Sequence, residues 1–165
     1  MSCSENCSTG KTFFSYNTPM ENLEVVINGA REVLEAKYRA REIALAHGRA
    51  LTRTCANAIR AMHRGELAEA RAAVQAAGEE ARQVSESLTE QPDLLHAGYV
   101  QDAHKELAEA ACLLALIERS ELPTPEELGI EPAAYLNGLA EAASEGRRFT
   151  LDRLRAGELQ RAEAM

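Results

Sequence analysis

From about residue 20 to residue 63, apolar side chains return again and again at helical spacing. Leu23, Val26, Ile27, Ala30, Val33 and Leu34 make the first run, and Ala44, Leu45, Leu51, Cys55, Ile59 and Met62 resume it. Gly48 is the weak point in the middle. The stop is HRGE, with Arg64 in the last turn and Gly65 placed to cap the helix. Composition agrees. The chain is rich in Ala, Leu, Glu and Arg, has five prolines, and is poor in the β-branched residues that strands favour.

Further helical patterns follow. A second helix is expected over about 66 to 88, through Leu67, Ala70, Val74, Ala77, Ala81, Val84 and Leu88, and its Ala-rich interior permits close approach. Pro92 opens a third, expected over about 93 to 120. Pro123 and Pro125 break the chain, and PEELG makes a short turn. A fourth helix runs from near Pro132 to about 155, with Tyr135, Leu136, Leu139, Ala143, Leu151 and Leu154 as its apolar stripe. Gly157 interrupts, and ELQRAEAM restarts a helical pattern. Long helices with short connections predict one all-α antiparallel bundle over residues 20–165. Residues 1–19, rich in Ser, Thr, Cys and Asn, have no helical period and read as a disordered leader.

Charge and cysteine usage narrow the function. The net charge of −8 argues against a general basic coat for nucleic acid. The 18 Lys and Arg are nonetheless unevenly spread. Arg39, Arg41, Arg49, Arg53, Arg60 and Arg64 lie on the first helix with His47 and His63, and Arg49, Arg53, Arg60 and Arg64 approximate one stripe. That stripe is either a solvated face pairing with acidic neighbours or a surface for nucleic-acid phosphates. Aromatic residues are 4% of the chain, so such contact would rest on the backbone rather than on base stacking. Cys55 and Cys112 fall in apolar helical patterns and read as small buried hydrophobes. Cys3-x-x-x-Cys7 lacks partner ligands for a metal. Gly10-Lys11-Thr12 lacks the earlier glycine and the strand of a phosphate loop. No secretory signal and no membrane-spanning run are visible, so a reducing cytoplasmic setting is expected.

HAGYVQDAHKELAEA, residues 96 to 110, carries the most suggestive chemistry. On a helical wheel Val100, Ala103, Leu107, Ala110 and Leu114 form the apolar stripe. Asp102, Glu106 and Glu109 fall together on one flank, where Leu113 and Leu116 follow a turn later. Glu141, Glu145 and Asp152 share a face of the fourth helix, expected opposite its apolar stripe. Carboxylates offered by two helices suit Mg²⁺ or Mn²⁺, which prefer oxygen ligands. Most such faces are simply solvated, and the residues alone leave both readings open. No Glu-x-x-His occurs, against a His-containing di-iron site.

Four segments in order resemble the translin and translin-associated factor X superfamily in its archaeal form. They are CANAIRAMHRGE (55–66), HAGYVQDAHKELAEA (96–110), LPTPEELGI (122–130) and YLNGLAEAASEGRRFTLDRLRAGE (135–158). The resemblance implies a helical bundle that assembles into a higher oligomer, typically an octamer, around a cavity for single-stranded RNA or DNA. Its translin-like members bind nucleic acid, and its factor X-like members are Mg²⁺-dependent endoribonucleases. By position, the resemblance makes Glu106, Glu109, Glu141 and Glu145 the catalytic and metal-holding carboxylates. Glu141 stands where catalytic members usually have Asp. Arg49, Arg53, Arg60 and Arg64 would guide the strand. Relatives usually continue well beyond GELQRAEAM with a further long helix, so either a shortened gene product or an impaired assembly is expected.

Two other classes compete with these readings. An all-α nucleotide pyrophosphohydrolase, which also uses Glu-x-x-Glu on a bundle helix, is one. A purely structural bundle is the other.

Overall fold

The computed structural model describes residues 18–163 and contains seven helices, with no strand among those residues. Four are long: α1 (Thr18–Arg64), α2 (Leu67–Ser87), α4 (Gly98–Glu118) and α6 (Pro132–Arg155). Three are single turns: α3 (Pro92–Leu95), α5 (Pro125–Leu128) and α7 (Leu159–Ala162). The all-α architecture expected from the sequence is the one observed. The leader reading falls on residues outside those described, apart from Thr18 and Pro19, where α1 already begins. No described helix is long and apolar enough to cross a membrane.

The chain divides into two compact units, Met1–Ala36 and Lys37–Met165. In the first, the described part of α1 exposes its apolar residues, with Val33 and Leu34 about two-thirds exposed at 64% and 66%. The second holds the core. Leu51, Cys55, Ala58 and Met62 of α1 meet Ala70, Ala77 and Ala81 of α2, Leu107, Cys112 and Leu113 of α4, and Tyr135 and Ala142 of α6. The turn between α1 and α2 needs Gly65, which adopts φ 80° while the Glu66 amide donates to the Ala61 carbonyl. A bond from Thr54 to Glu80 links α2 back along α1.

Two expectations are corrected. The third helix is not continuous over 93–120: α3 ends at Leu95, and Ala97 is extended at φ −68°, ψ 143° before α4 begins. Packing makes this break, with no proline to mark it. Leu94 and Leu95 pack against a second cluster of Ala44, Val84, Leu88 and Val100, and the Gln101 side chain donates to the Leu95 carbonyl at 2.9 Å. The fourth helix also presents a different face to the core. Leu136, Leu151 and Leu154 are exposed, at 62%, 41% and 44%. Its buried residues are Ala134, Tyr135, Gly138, Ala142, Gly146 and Phe149. This small-residue face packs on α4, and Glu141 and Glu145 lie half-buried beside it rather than opposite the core.

Candidate metal centre

Close approach of α4 and α6 builds the site. A Cβ placed on Gly138 would meet Ala108 Cβ at 2.6 Å and the Glu109 backbone nitrogen at 2.9 Å, and would also run into the Lys105 carbonyl oxygen. Only a residue without a side chain fits there. Glu141, one helical turn beyond Gly138, is thereby carried against the turn of α4 that bears Glu106 and Glu109.

The result is a convergence of three half-buried carboxylates. One oxygen from each of Glu106, Glu109 and Glu141 lies within 4.8 Å of the others. The electrostatic consequence appears at Glu109. Burial, and then the negative charges of Glu106, Glu141 and Glu145, push its carboxyl from an ordinary 4.5 up to about 7, against the opposing pull of Lys105. Lys105 donates to both Glu141 oxygens at 2.8 Å and lies 3.2 Å from Glu106. Its ammonium is held in the charged form, chiefly by the Glu141 bond. Beneath the cluster, burial and the charge of Glu106 push the Cys55 thiol up to about 12, which excludes it as a thiolate nucleophile.

Glu145 is engaged differently. Its carboxylate is 2.7 Å from His63 Nε2 and accepts from Arg148 at 3.2 Å. His63 Nδ1 lies 3.6 Å from Asp152, and the imidazole packs on Phe149 with ring centroids 5.8 Å apart. Arg153 fixes the same corner, donating to the His63 carbonyl at 2.8 Å and lying over the Phe149 ring. Glu145 is therefore near enough to raise Glu109 but lies outside the group of three converging oxygens. Asp102 is exposed and shares with Arg49, Thr52, Tyr99 and Glu106 the walls of an open cavity of about 360 Å³.

The four arginines singled out on α1 are all exposed. Arg49 reaches the cavity that Glu106 also lines. Arg64 pairs with Glu66 and lies 3.5 Å from Glu69, and Arg60 donates to Asn57. Three groups at or near the site escaped the sequence reading. Lys105 was visible only as the neighbour of Glu106. His63 was grouped with the basic stripe, although it holds a carboxylate. His104 is 1% exposed, and its ring reaches only the Ala81 backbone, weakly.

No known family profile matches this sequence, and no curated protein does. Solved structures do. The crystal structure of AfC3PO, an archaeal translin/Trax complex, superposes with a TM-score of 0.75 at 30% identity, over 84% of this chain and 71% of that one. The chain belongs to the translin/Trax family. AfC3PO in complex with duplex RNA superposes with a TM-score of 0.70 at 28% identity, over 84% and 71% of the two chains. Apo-NeC3PO shares the fold, with a TM-score of 0.71 at 22% identity, over 84% of this chain and 73% of its own. The α4 and α6 segments that carry the three carboxylates are thus part of a translin/Trax fold.

Proposed function

We propose that this translin/Trax chain binds RNA and cleaves it as a Mg²⁺-dependent endoribonuclease, working as a homo-oligomer. The observation that carries the reading is the convergence of Glu106, Glu109 and Glu141 within 4.8 Å. Three carboxylates crowded until one holds its proton to about 7 form a poor resting arrangement and a good cation site. The donors are all carboxylate oxygens, the chemistry that Mg²⁺ and Mn²⁺ prefer over softer metals. When bound, such an ion supplies an activated water and neutralises charge developing on the phosphate.

The protein's own residues do the rest. Glu106, Glu109 and Glu141 hold the cation. Glu145, anchored by His63, faces the cluster from the side and orients water there. The exposed arginines Arg49, Arg53, Arg60 and Arg64 take the phosphate backbone, with Arg49 lining the cavity that Glu106 also lines. AfC3PO was solved with duplex RNA, so both single- and double-stranded RNA belong in the assay. Labelled RNA of each kind is incubated with Mg²⁺ and with EDTA. Mg²⁺-dependent fragments, lost in Glu106→Ala and Glu109→Ala while binding persists, are expected. Equal cleavage by those variants rejects the site, and retention without cleavage by the native chain supports a non-catalytic RNA-binding protein instead.

A further inference from the structure

Lys105 is held by the acidic cluster itself. Its ammonium spans both oxygens of Glu141 and reaches Glu106, and its side chain is only 23% exposed. Two of the three carboxylates proposed to hold a cation are therefore already engaged by one. The lone pairs that Lys105 uses on Glu141 are the ones a divalent ion would take. The two cations also repel, so both cannot occupy those oxygens together.

We propose that Lys105 is a built-in competitor for the divalent-cation site. Its ammonium neutralises Glu141 and Glu106 and swings out when a divalent ion enters, so that it sets the affinity of the site. This inference rests on reading Glu106, Glu109 and Glu141 as that site. Lysine suits the exchange. It is a compact charge on a flexible four-carbon stem, whereas an arginine fork is pre-organised for a carboxylate. The position matters as well. Lys105 precedes Glu106 on α4, and its own carbonyl lies against Gly138 of α6, so its backbone stays fixed while the side chain moves. The surrounding charges favour the ammonium: Glu141 and then Glu106 hold it in the charged form.

The test reads cation binding without RNA. Mn²⁺ is titrated calorimetrically into the full chain at a pH well above the Glu109 value, so that protons do not replace the ammonium as competitors. Lys105→Met keeps the apolar stem and removes the charge. Its Kd for Mn²⁺ is expected to fall about tenfold, the scale of one charge-assisted hydrogen-bonding partner removed. Lys105→Gln gives the same direction and guards against a packing defect specific to methionine. Lys105→Arg retains a cation and is expected to stay within about threefold of the native chain, or weaker. Glu109→Gln, which leaves the Lys105 contacts alone, weakens binding. Unchanged or weaker Mn²⁺ binding by Lys105→Met and Lys105→Gln, with Glu109→Gln still impaired, overturns the role of Lys105 alone. Failure of Glu109→Gln to alter binding overturns the cation site and this inference with it.

Discussion

Leu23, Val26, Ile27, Val33 and Leu34 repeat at helical spacing along α1, yet each is about half exposed or more, from 48% to 66%. Gly138, Ala142, Gly146 and Phe149 repeat along α6 with far less apolar bulk, and all four are buried. Burial here follows backbone approach rather than side-chain size. Where residues are small, α6 comes within van der Waals range of α4, and the half-buried charges at the edge of that contact are forced together. The large apolar stripe over residues 23–34 of α1 organises nothing comparable among the described residues. A site made of carboxylates thus depends on a glycine that carries no chemistry.

The sharpest way to break this contrast is Gly138→Ala. The added methyl would overlap the α4 backbone, and the flexible end of a side chain is not available to yield. Overpacking of this kind costs about 3 kcal/mol, more than the gain from replacing glycine within a helix. A fall in Tm of roughly 10 °C is expected, together with loss of Mn²⁺ binding. Native stability in this variant would show that α4 and α6 separate without penalty, and the argument from close approach would fail.

A smaller effect isolates the carboxylates from the packing. The Glu109 carboxyl, at about 7 in the folded chain against an ordinary 4.5, holds a proton in the folded state that the unfolded state has lost between those values. Stability is therefore greatest in acid on this account and falls as pH rises from 4.5 through 7. Glu109→Gln removes that loss. Above pH 7 it is expected to melt about 3 °C higher than the native chain without added metal, with the difference closing in acid. Mg²⁺ raises the native Tm above that pH and raises that of Glu109→Gln less. Parallel melting curves at every pH would mean that the cluster is relaxed by solvent.

His104 sharpens the comparison from the opposite side of the pH range. It is buried on α4, and burial lowers its pKa below the ordinary 6.5 against the opposing pull of a weak bond to the Ala81 backbone. The unfolded state then takes up protons first as pH falls, so stability is present above 6.5 and is lost below it. His104→Leu replaces a poorly paired polar ring with an apolar side chain. It is expected to add about 1 kcal/mol near neutrality and to flatten the loss of stability below pH 6.5, with the fall between pH 4.5 and 7 left to Glu109. An unchanged acid limb would mean that another group titrates there.

The same contrast explains what could be read in advance. Helical periodicity and the proline and glycine punctuation located the long helices, because both are local signals. The α4 apolar stripe was legible for that reason: Val100, Ala103, Leu107, Ala110 and Leu114 are all buried. The face of α6 was not, since a wheel weighs leucine above glycine while close packing inverts that order. The break at Ala97 was hidden because tertiary contacts of Leu94 and Leu95 make it. Of the site, Glu106 and Glu109 stood out by spacing on one helix, and the family resemblance supplied Glu141 and Glu145. The bonds of Lys105 to Glu141 and of His63 to Glu145 join residues 36 and 82 apart in sequence, which no local pattern encodes.

The smallest expected effect completes the contrast. Leu34→Gln removes a large apolar side chain from the α1 stripe, where it is 66% exposed. A buried leucine changed this way would cost several kcal/mol, through lost transfer energy and an unpaired amide. At its observed exposure the amide stays hydrated and little apolar area leaves water, so the change should stay within about 0.5 kcal/mol. Glutamine and leucine are both good helix formers, so helix propensity adds little either way. Thermal melting of Leu34→Gln beside Gly138→Ala therefore sets the replacement of two apolar methyl groups by an amide against the addition of one methyl. The methyl is expected to do the greater harm. A loss at Leu34 as large as that at Gly138 would mean that the stripe is covered, and that side-chain size, rather than backbone approach, governs burial along the whole chain.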